Sequence, residues 1–210
     1  MGVYTDQVLP RFTDVALGTP LEPTRARVAA GLSGDVLEIG FGSGRNLTHL
    51  PPTVERVLAV EPSDVARRLA ARRIVASPFP IEFVGTDAQD LSLGDRSCDH
   101  VLVTWTLCTI PCVEWALQEA RRVLRPGGTF HFVEHGRCPD PRTAQWQDRL
   151  TPIWRRLMGG CHLNRPIDQL IKNAGFMLES PQTYNMGGSD LVGYAYEGVA
   201  VKSIDEPADP

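Results

Sequence analysis

Short apolar runs recur along the first half of the chain: Val36-Leu37, Val57-Leu58-Ala59-Val60, Ile81-Glu82-Phe83-Val84 and His100-Val101-Leu102-Val103. Each reads as a buried strand. Residues 65–75 and 113–124 carry helical patterns between and after them. In the second of these, Val113, Ala116, Leu117, Ala120 and Leu124 recur at the spacing of one helix face. Pro126-Gly127-Gly128 stops that helix, and Thr129-Phe130-His131-Phe132-Val133 is a fifth strand. Beyond it, residues 145–158 form an amphipathic stretch bearing Trp146 and Trp154, and 166–174 a helix closed by Gly175. Runs at 176–178 and 192–201 complete the strands. Strands alternating with helices predict an α/β protein, a parallel sheet covered on both faces.

The chemistry is concentrated where the first strand ends, at Glu38-Ile39-Gly40-Phe41-Gly42-Ser43-Gly44, with a helix-compatible segment following at 45–50. Glycine has no Cβ, so this turn can take positive φ and approach a ligand closely, while the next N–H groups point at it. A dinucleotide loop places its third glycine three residues after the second, a position held here by Arg45; the spacing is G-x-G-x-G, which disfavours a pyrophosphate. Glu61 stands at the end of the second run, 21 residues after Gly40, where an acid accepts bonds from ribose hydroxyls. The third run ends in Gly85-Thr86-Asp87-Ala88 and the fourth in Thr104-Trp105. Ligands of such sheets bind outside these carboxyl ends.

Together with Ser97-Cys98-Asp99-His100-Val101-Leu102-Val103 and Ala120-Arg121-Arg122-Val123-Leu124-Arg125-Pro126-Gly127-Gly128-Thr129, these residues resemble the class I S-adenosylmethionine-dependent methyltransferases from about Pro23 to Lys202. The resemblance implies a single Rossmann-like domain with a seven-stranded, mostly parallel sheet over 23–202; residues 1–22 are expected to be an N-terminal lid or extension, and the polar, proline-bearing 203–210 a mobile tail. It puts the methionine part of S-adenosylmethionine on Gly40, Gly42 and Gly44, the ribose on Glu61, and the adenine beside Asp87 and Ala88. Glu38 would orient the loop and the cofactor's amino group, and Thr104 would supply backbone contacts. Within the superfamily, Val133-Glu134-His135, Gly160-Cys161-His162-Leu163-Asn164-Arg165 and Gly193-Tyr194-Ala195 are similar to small ubiquinone-biosynthesis and alkyl-thiol methyltransferases. No apolar run matches the membrane anchor associated with the alkyl-thiol enzymes, which counts against a lipidic acceptor.

Composition narrows the partners. At 210 residues, 42% hydrophobic and 22% charged, the chain can bury one core, and no stretch has the apolar length of a membrane span. Without a signal-peptide pattern, a cytoplasmic protein is expected. A net charge of −4 argues against nucleic acid and for a small-molecule acceptor. Arginine outnumbers lysine 19 to 2, and Arg67-Arg68 and Arg72-Arg73 read as solvated helix faces. Five cysteines without a secretory signal imply reduced thiols. Cys108 with Cys112 and His135 with Cys138 have no second pair at zinc-finger spacing, so no metal is expected, and Cys98 and Cys108 read as packing residues.

Methyl transfer to a hydroxyl needs a base, whereas a thiol is partly ionised near neutral pH. His135, beside Glu134 on the rim after the fifth strand, is the expected base, with His162 in reserve and His49, His100 and His131 structural. Trp105 is placed near the transferred methyl. Trp146 and Trp154 read as core or as an acceptor wall, and residues 4–17 as a lid carrying Tyr4 and Arg11 inward. The expected activity is O-methylation of a small polar acceptor, a sugar or a phenol, with thiol methylation the nearest alternative. A non-catalytic cofactor-binding protein is the alternative of another class. A nucleotide-dependent oxidoreductase is disfavoured by Arg45 and the 122–129 segment.

Overall fold

The computed structural model describes residues 4–202 of the chain. Its seven strands form one sheet: β1 (Gly34–Ile39), β2 (Val54–Val60), β3 (Ile81–Gly85), β4 (Cys98–Thr104), β5 (Leu124–His135), β6 (Phe176–Asn185) and β7 (Tyr194–Lys202). The order is β3-β2-β1-β4-β5-β7-β6, with β1 to β5 parallel and β7 antiparallel to both its neighbours. The expected α/β, Rossmann-like, single-domain sheet of seven mostly parallel strands is present.

Helices α1 (Leu9–Ala16), α2 (Glu22–Ala29), α3 (Asp64–Ala76), α4 (Val113–Val123), α5 (Pro141–Leu157), α6 (Ile167–Asn173) and the single turn α7 (Asp190–Gly193) connect and cover it. Two apolar layers result. One packs Val113, Ala116, Leu117 and Ala120 of α4 with Ile167 and Ile171 of α6 against Leu37, Val101, Phe130 and Phe132. The other packs Val28, Leu47 and Ala70 against Val36, Val57 and Leu102 on the opposite side. Both faces of β1 are therefore buried, which is why Val36, Leu37 and Ile39 are all apolar.

Several boundaries differ from the sequence reading, each for a local reason. Residues 45–50 form a 3₁₀ turn, Arg45–His49, and not an α-helix. Pro126-Gly127-Gly128 lies inside β5, which begins at Leu124, as a bulge opposite Cys98–His100. Gly127 there has φ +80°, and a Cβ on Gly128 would meet the Asp99 carbonyl oxygen at 2.5 Å. Strand β6 runs on to Asn185 through an irregularity where Ser180 has φ 47°. The last strand starts at Tyr194, two residues late, because Ser189 Oγ accepts from the Leu191 N–H and turns 190–193 into α7.

Arginines read as solvated also have tasks. Arg67 donates to the carbonyls of Glu61 and Gly85 and lies 4.7 Å from the centre of the Phe83 ring. Arg73 donates to the Ser43 carbonyl. Both tie α3 to the end of the sheet where the glycine turn sits. The 203–210 tail lies outside the described residues.

Candidate active site

The carboxyl ends of β1, β2 and β4 open on a cleft of about 290 Å³ lined by Gly40, Phe41, Gly42, Ser43, Arg45, Glu61, Pro62, Ser63, Thr104, Trp105, Thr106 and Thr109. Its other walls are Leu9, Pro10, Thr13, Asp14 and Leu17 of the N-terminal segment, Arg25 and Ala66, and Met158 and Gly159 after α5.

The glycine turn is a backbone device. Gly40, Gly42 and Gly44 all have positive φ. At Gly40 (φ +76°) an added Cβ would stand 2.0 Å from Thr106 Oγ1, so the β1 and β4 loops meet only because that position is bare. Glu61 is buried on the cleft wall. Its Oε2 accepts from the Gly42 N–H at 2.7 Å and its Oε1 from the Ser63 N–H at 2.7 Å. Burial raises its pKa against those two bonds.

Beneath the turn, Glu38 Oε1 accepts from Asn46 Nδ2 at 2.8 Å, while its buried Oε2 has no partner. Burial pushes the Glu38 carboxyl up to about 8. Asn46 Nδ2 also donates to Thr104 Oγ1 at 3.1 Å, and Arg25 donates to Asn46 Oδ1 at 2.8 Å and to the Leu17 carbonyl at 3.0 Å. Burial brings the Arg25 guanidinium down to about 10, and it lies 4.7 Å from the centre of the Trp105 ring. Trp105 itself has φ 51°, a strained conformation for a bulky residue, and its Nε1 donates to Met186 Sδ at 3.2 Å. No motif announced Arg25 or Asn46; only the fold brings them to Glu38 and Thr104.

Of residues 4–17, Leu9, Pro10, Thr13, Asp14 and Leu17 line this end. Asp14 accepts from Ser43 Oγ and, at 2.8 Å, from Arg45 Nε, fastening α1 to the glycine turn. Burial opposes the charge on Asp14, but the bonds from Ser43 and Arg45 prevail and hold its carboxyl below the usual range. Tyr4 and Arg11, expected to reach inward, do not. Tyr4 is 45% exposed, and Arg11 turns back on the Gln7 carbonyl. Asp87 is exposed at the end of β3, bonded to Gln89, and Ala88 packs into the core. Neither lines the cleft.

The acceptor end departs furthest from the sequence reading. Glu134 is wholly buried, with Oε1 accepting from the Thr106 and Leu107 N–H groups and Oε2 from that of Cys108. Burial brings its carboxyl up to about 7 against those bonds. It anchors the loop after β4 and does not line the cleft. His135 does not line the cleft either. Its Nε2 meets Cys161 Sγ at 2.9 Å, and its buried Nδ1 has no partner. Burial opposes the imidazolium, but the Cys161 sulfur and Glu134 outweigh it and raise the pKa. The bond from Cys108 leads the causes that bring the Cys161 thiol down to about 4, against burial and with help from His135 and Trp154.

His162 is turned to the Cys108 carbonyl, at 3.1 Å from Nδ1 and 2.8 Å from its own backbone N–H. Arg165 reaches the Leu107 and Ile110 carbonyls, closing the same loop from behind. The two tryptophans of α5 part company: Trp146 is 55% exposed, while Trp154 Nε1 donates to Cys161 Sγ at 3.3 Å. Neither lines the cleft. Among the described residues neither Cys112 nor Cys138 joins a cluster of three such groups; Cys108, His135 and Cys161 form one, with ligand atoms within 4.8 Å of one another. The signal for Cys161 lay in the 160–165 segment, but its partners could come only from the fold.

The strand order, the turn with its three positive-φ glycines, and the acid at the end of β2 are joined by similarity along the chain. Residues 37–132 match the model of a methyltransferase domain. Human thiol S-methyltransferase TMT1A is 31% identical over 179 residues, covering 79% of this chain and 72% of that protein. The chain belongs to the class I S-adenosylmethionine-dependent methyltransferases. The ubiquinone/menaquinone biosynthesis C-methyltransferase UbiE of Methylobacterium nodulans is 33% identical over 165 residues, covering 72% of this chain and 62% of that enzyme. The chain thus spans somewhat under two thirds of that enzyme's length. In fold, a Thermotoga maritima S-adenosylmethionine-dependent methyltransferase superposes with a TM-score of 0.67 at 19% identity, covering 96% of this chain and 98% of the other.

The cofactor of this methyltransferase family, S-adenosylmethionine, suits the donor set. The unpartnered, buried Glu38 Oε2 can take an ammonium group, and Gly42, where an added Cβ would meet only the Gly40 carbonyl oxygen at 3.8 Å, leaves room for a methionine chain along the turn. No helix of the described residues is long and apolar enough to cross a membrane.

Proposed function

We propose that this methyltransferase acts on a small thiol, moving the methyl group of S-adenosylmethionine to sulfur. The observation that carries the reading is the cleft wall: among the described residues lining it there is no histidine, and the imidazole expected to serve as base is bonded to Cys161. A hydroxyl acceptor without a positioned base is a poor nucleophile, whereas a thiol supplies its own anion near neutral pH. Similarity to a thiol S-methyltransferase points the same way.

In this reading Glu38, Gly40, Gly42 and Gly44 hold the methionine part of the cofactor and Glu61 its ribose. Bound S-adenosylmethionine supplies an activated methyl group on a sulfonium. The chain's part is to align the acceptor and exclude water. Thr104 and Trp105 fix the wall at the reacting end, Arg25 braces Trp105, and the 4–17 segment closes over the turn through Asp14.

Release of S-adenosylhomocysteine from matched thiols, phenols and sugars tests the reading. A small thiol is expected to be the best acceptor, with a rate that follows its own ionisation as pH rises. Faster turnover of a phenol or sugar than of any thiol would overturn it.

A further inference from the structure

We infer that Cys108, His135 and Cys161 form a binding site for one soft divalent cation of the zinc type, with a fourth position open to the sulfur of an exogenous thiol. The second half of this inference rests on the thiol reading above; the first does not.

Three separate parts of the chain converge here: the loop after β4 brings Cys108, the last residue of β5 is His135, and the loop after α5 brings Cys161. In a tetrahedral zinc site, sulfur and nitrogen ligands at about 2.3 and 2.0–2.1 Å from the metal stand ~3.5–3.8 Å from one another. The three ligand atoms here lie within 4.8 Å of one another, with Nε2 and the Cys161 sulfur at 2.9 Å, so displacements of about 1 Å would seat a metal. Two thiolates and a neutral imidazole balance a dication, and an S₂N set selects zinc-like metals over magnesium or calcium.

The ligands are held from outside. Three backbone N–H groups of 106–108 rest on Glu134, and Arg165 ties down the carbonyls on the far side of Cys108. Trp154 Nε1 donates to Cys161 Sγ at 3.3 Å, the kind of bond that steadies a metal-bound thiolate. Both cysteines are buried, 2% and 8% exposed, which protects them from bulk chelators.

Three protein ligands leave one position free, the hallmark of sites that bind a reactant. Chain neighbours of two ligands reach the cleft. Thr109, next to Cys108, lines it, as do Met158 and Gly159 just before Cys161. An acceptor thiol taken there gives its proton to solvent and binds as thiolate. Its sulfur then forms the new bond to carbon as the sulfonium–methyl bond breaks, leaving a thioether and S-adenosylhomocysteine, with no change of oxidation state.

Cobalt(II) titration of the reduced, metal-stripped full chain reads the site without any turnover. Equimolar uptake is expected, with sulfur-to-cobalt charge-transfer absorption and the visible bands of tetrahedral cobalt, which shift when a small thiol is added. Cys161→Ser and Cys108→Ser should each weaken uptake by more than the roughly 10–100-fold lost on changing an outer partner. Cys112→Ser should leave the spectrum intact, and His135→Gln gives a second ligand variant should a cysteine variant not fold. No charge-transfer band in a folded, reduced protein overturns the site, as does a Cys108–Cys161 disulfide that persists in the protein after reduction. A bound cobalt spectrum that no thiol perturbs overturns the open position. Full thiol methylation by stripped protein that takes up no cobalt overturns the site while leaving the thiol reading intact; cobalt uptake with no thiol turnover supports the site and removes that reading.

Discussion

The two ends of the cleft are held by opposite means. At the cofactor end the backbone does the shaping: three glycines with positive φ, and a carboxylate, Glu61, that accepts from two main-chain N–H groups at its rim. At the acceptor end buried side chains do it. Glu134, Arg165 and the Cys108–His135–Cys161 group fix a loop whose own residues carry no conformational signature apart from the strained Trp105. A backbone site tolerates little substitution at a few residues, whereas a side-chain site depends on partners far apart in sequence.

Glu134→Ala strands three buried N–H groups and should cost roughly 3–5 kcal/mol of unfolding free energy, measured by urea denaturation. S-adenosylhomocysteine affinity should change far less in whatever fraction remains folded. Stability within 1 kcal/mol of the parent, about one net hydrogen bond, would show that the acceptor loop stands without its buried anchor.

Gly40→Ala probes the other end. Left-handed strain and the 2.0 Å approach to Thr106 Oγ1 should together cost about 2–4 kcal/mol and abolish tight cofactor binding. Because the crowding atoms all belong to the Thr106 side chain, adding Thr106→Gly should restore part of the stability, the remainder being the strain. A double variant no better than the single one would mean that the two loops do not meet through that contact.

The smallest effect is electrostatic. With its carboxyl near 8, Glu38 is mostly protonated at neutral pH in the free protein. An ammonium group brought to Oε2 favours the anion, so binding lowers this pKa and expels a proton. Affinity for S-adenosylhomocysteine should therefore rise with pH, by at most about tenfold per unit, and level off above 8. Calorimetry in buffers of different ionisation heat counts the proton released near pH 7. Release that persists in Glu38→Gln would assign it to another group.

The succession of strands and helices through the parallel half, the place of the cofactor turn and the acid of β2 were legible in the sequence, because these are written in local apolar runs and in glycines whose conformational freedom needs no partner. Val113 to Val123 closed as a helix for the same reason. Where neighbours compete, local reading failed: Pro126-Gly127-Gly128 entered β5 as a bulge because β4 offered pairing partners, and Arg67 and Arg73 left solvent for carbonyls of Glu61 and Ser43. Only the tertiary structure decided the acceptor end. Glu134 and His135 are adjacent in sequence, yet side chains of successive strand residues point to opposite faces. One therefore serves a loop 26 to 28 residues away, and the other meets a cysteine 26 residues further on. Whether an imidazole faces a reactant or a buried sulfur depends on where distant segments cross, and no spacing along the chain encodes that crossing.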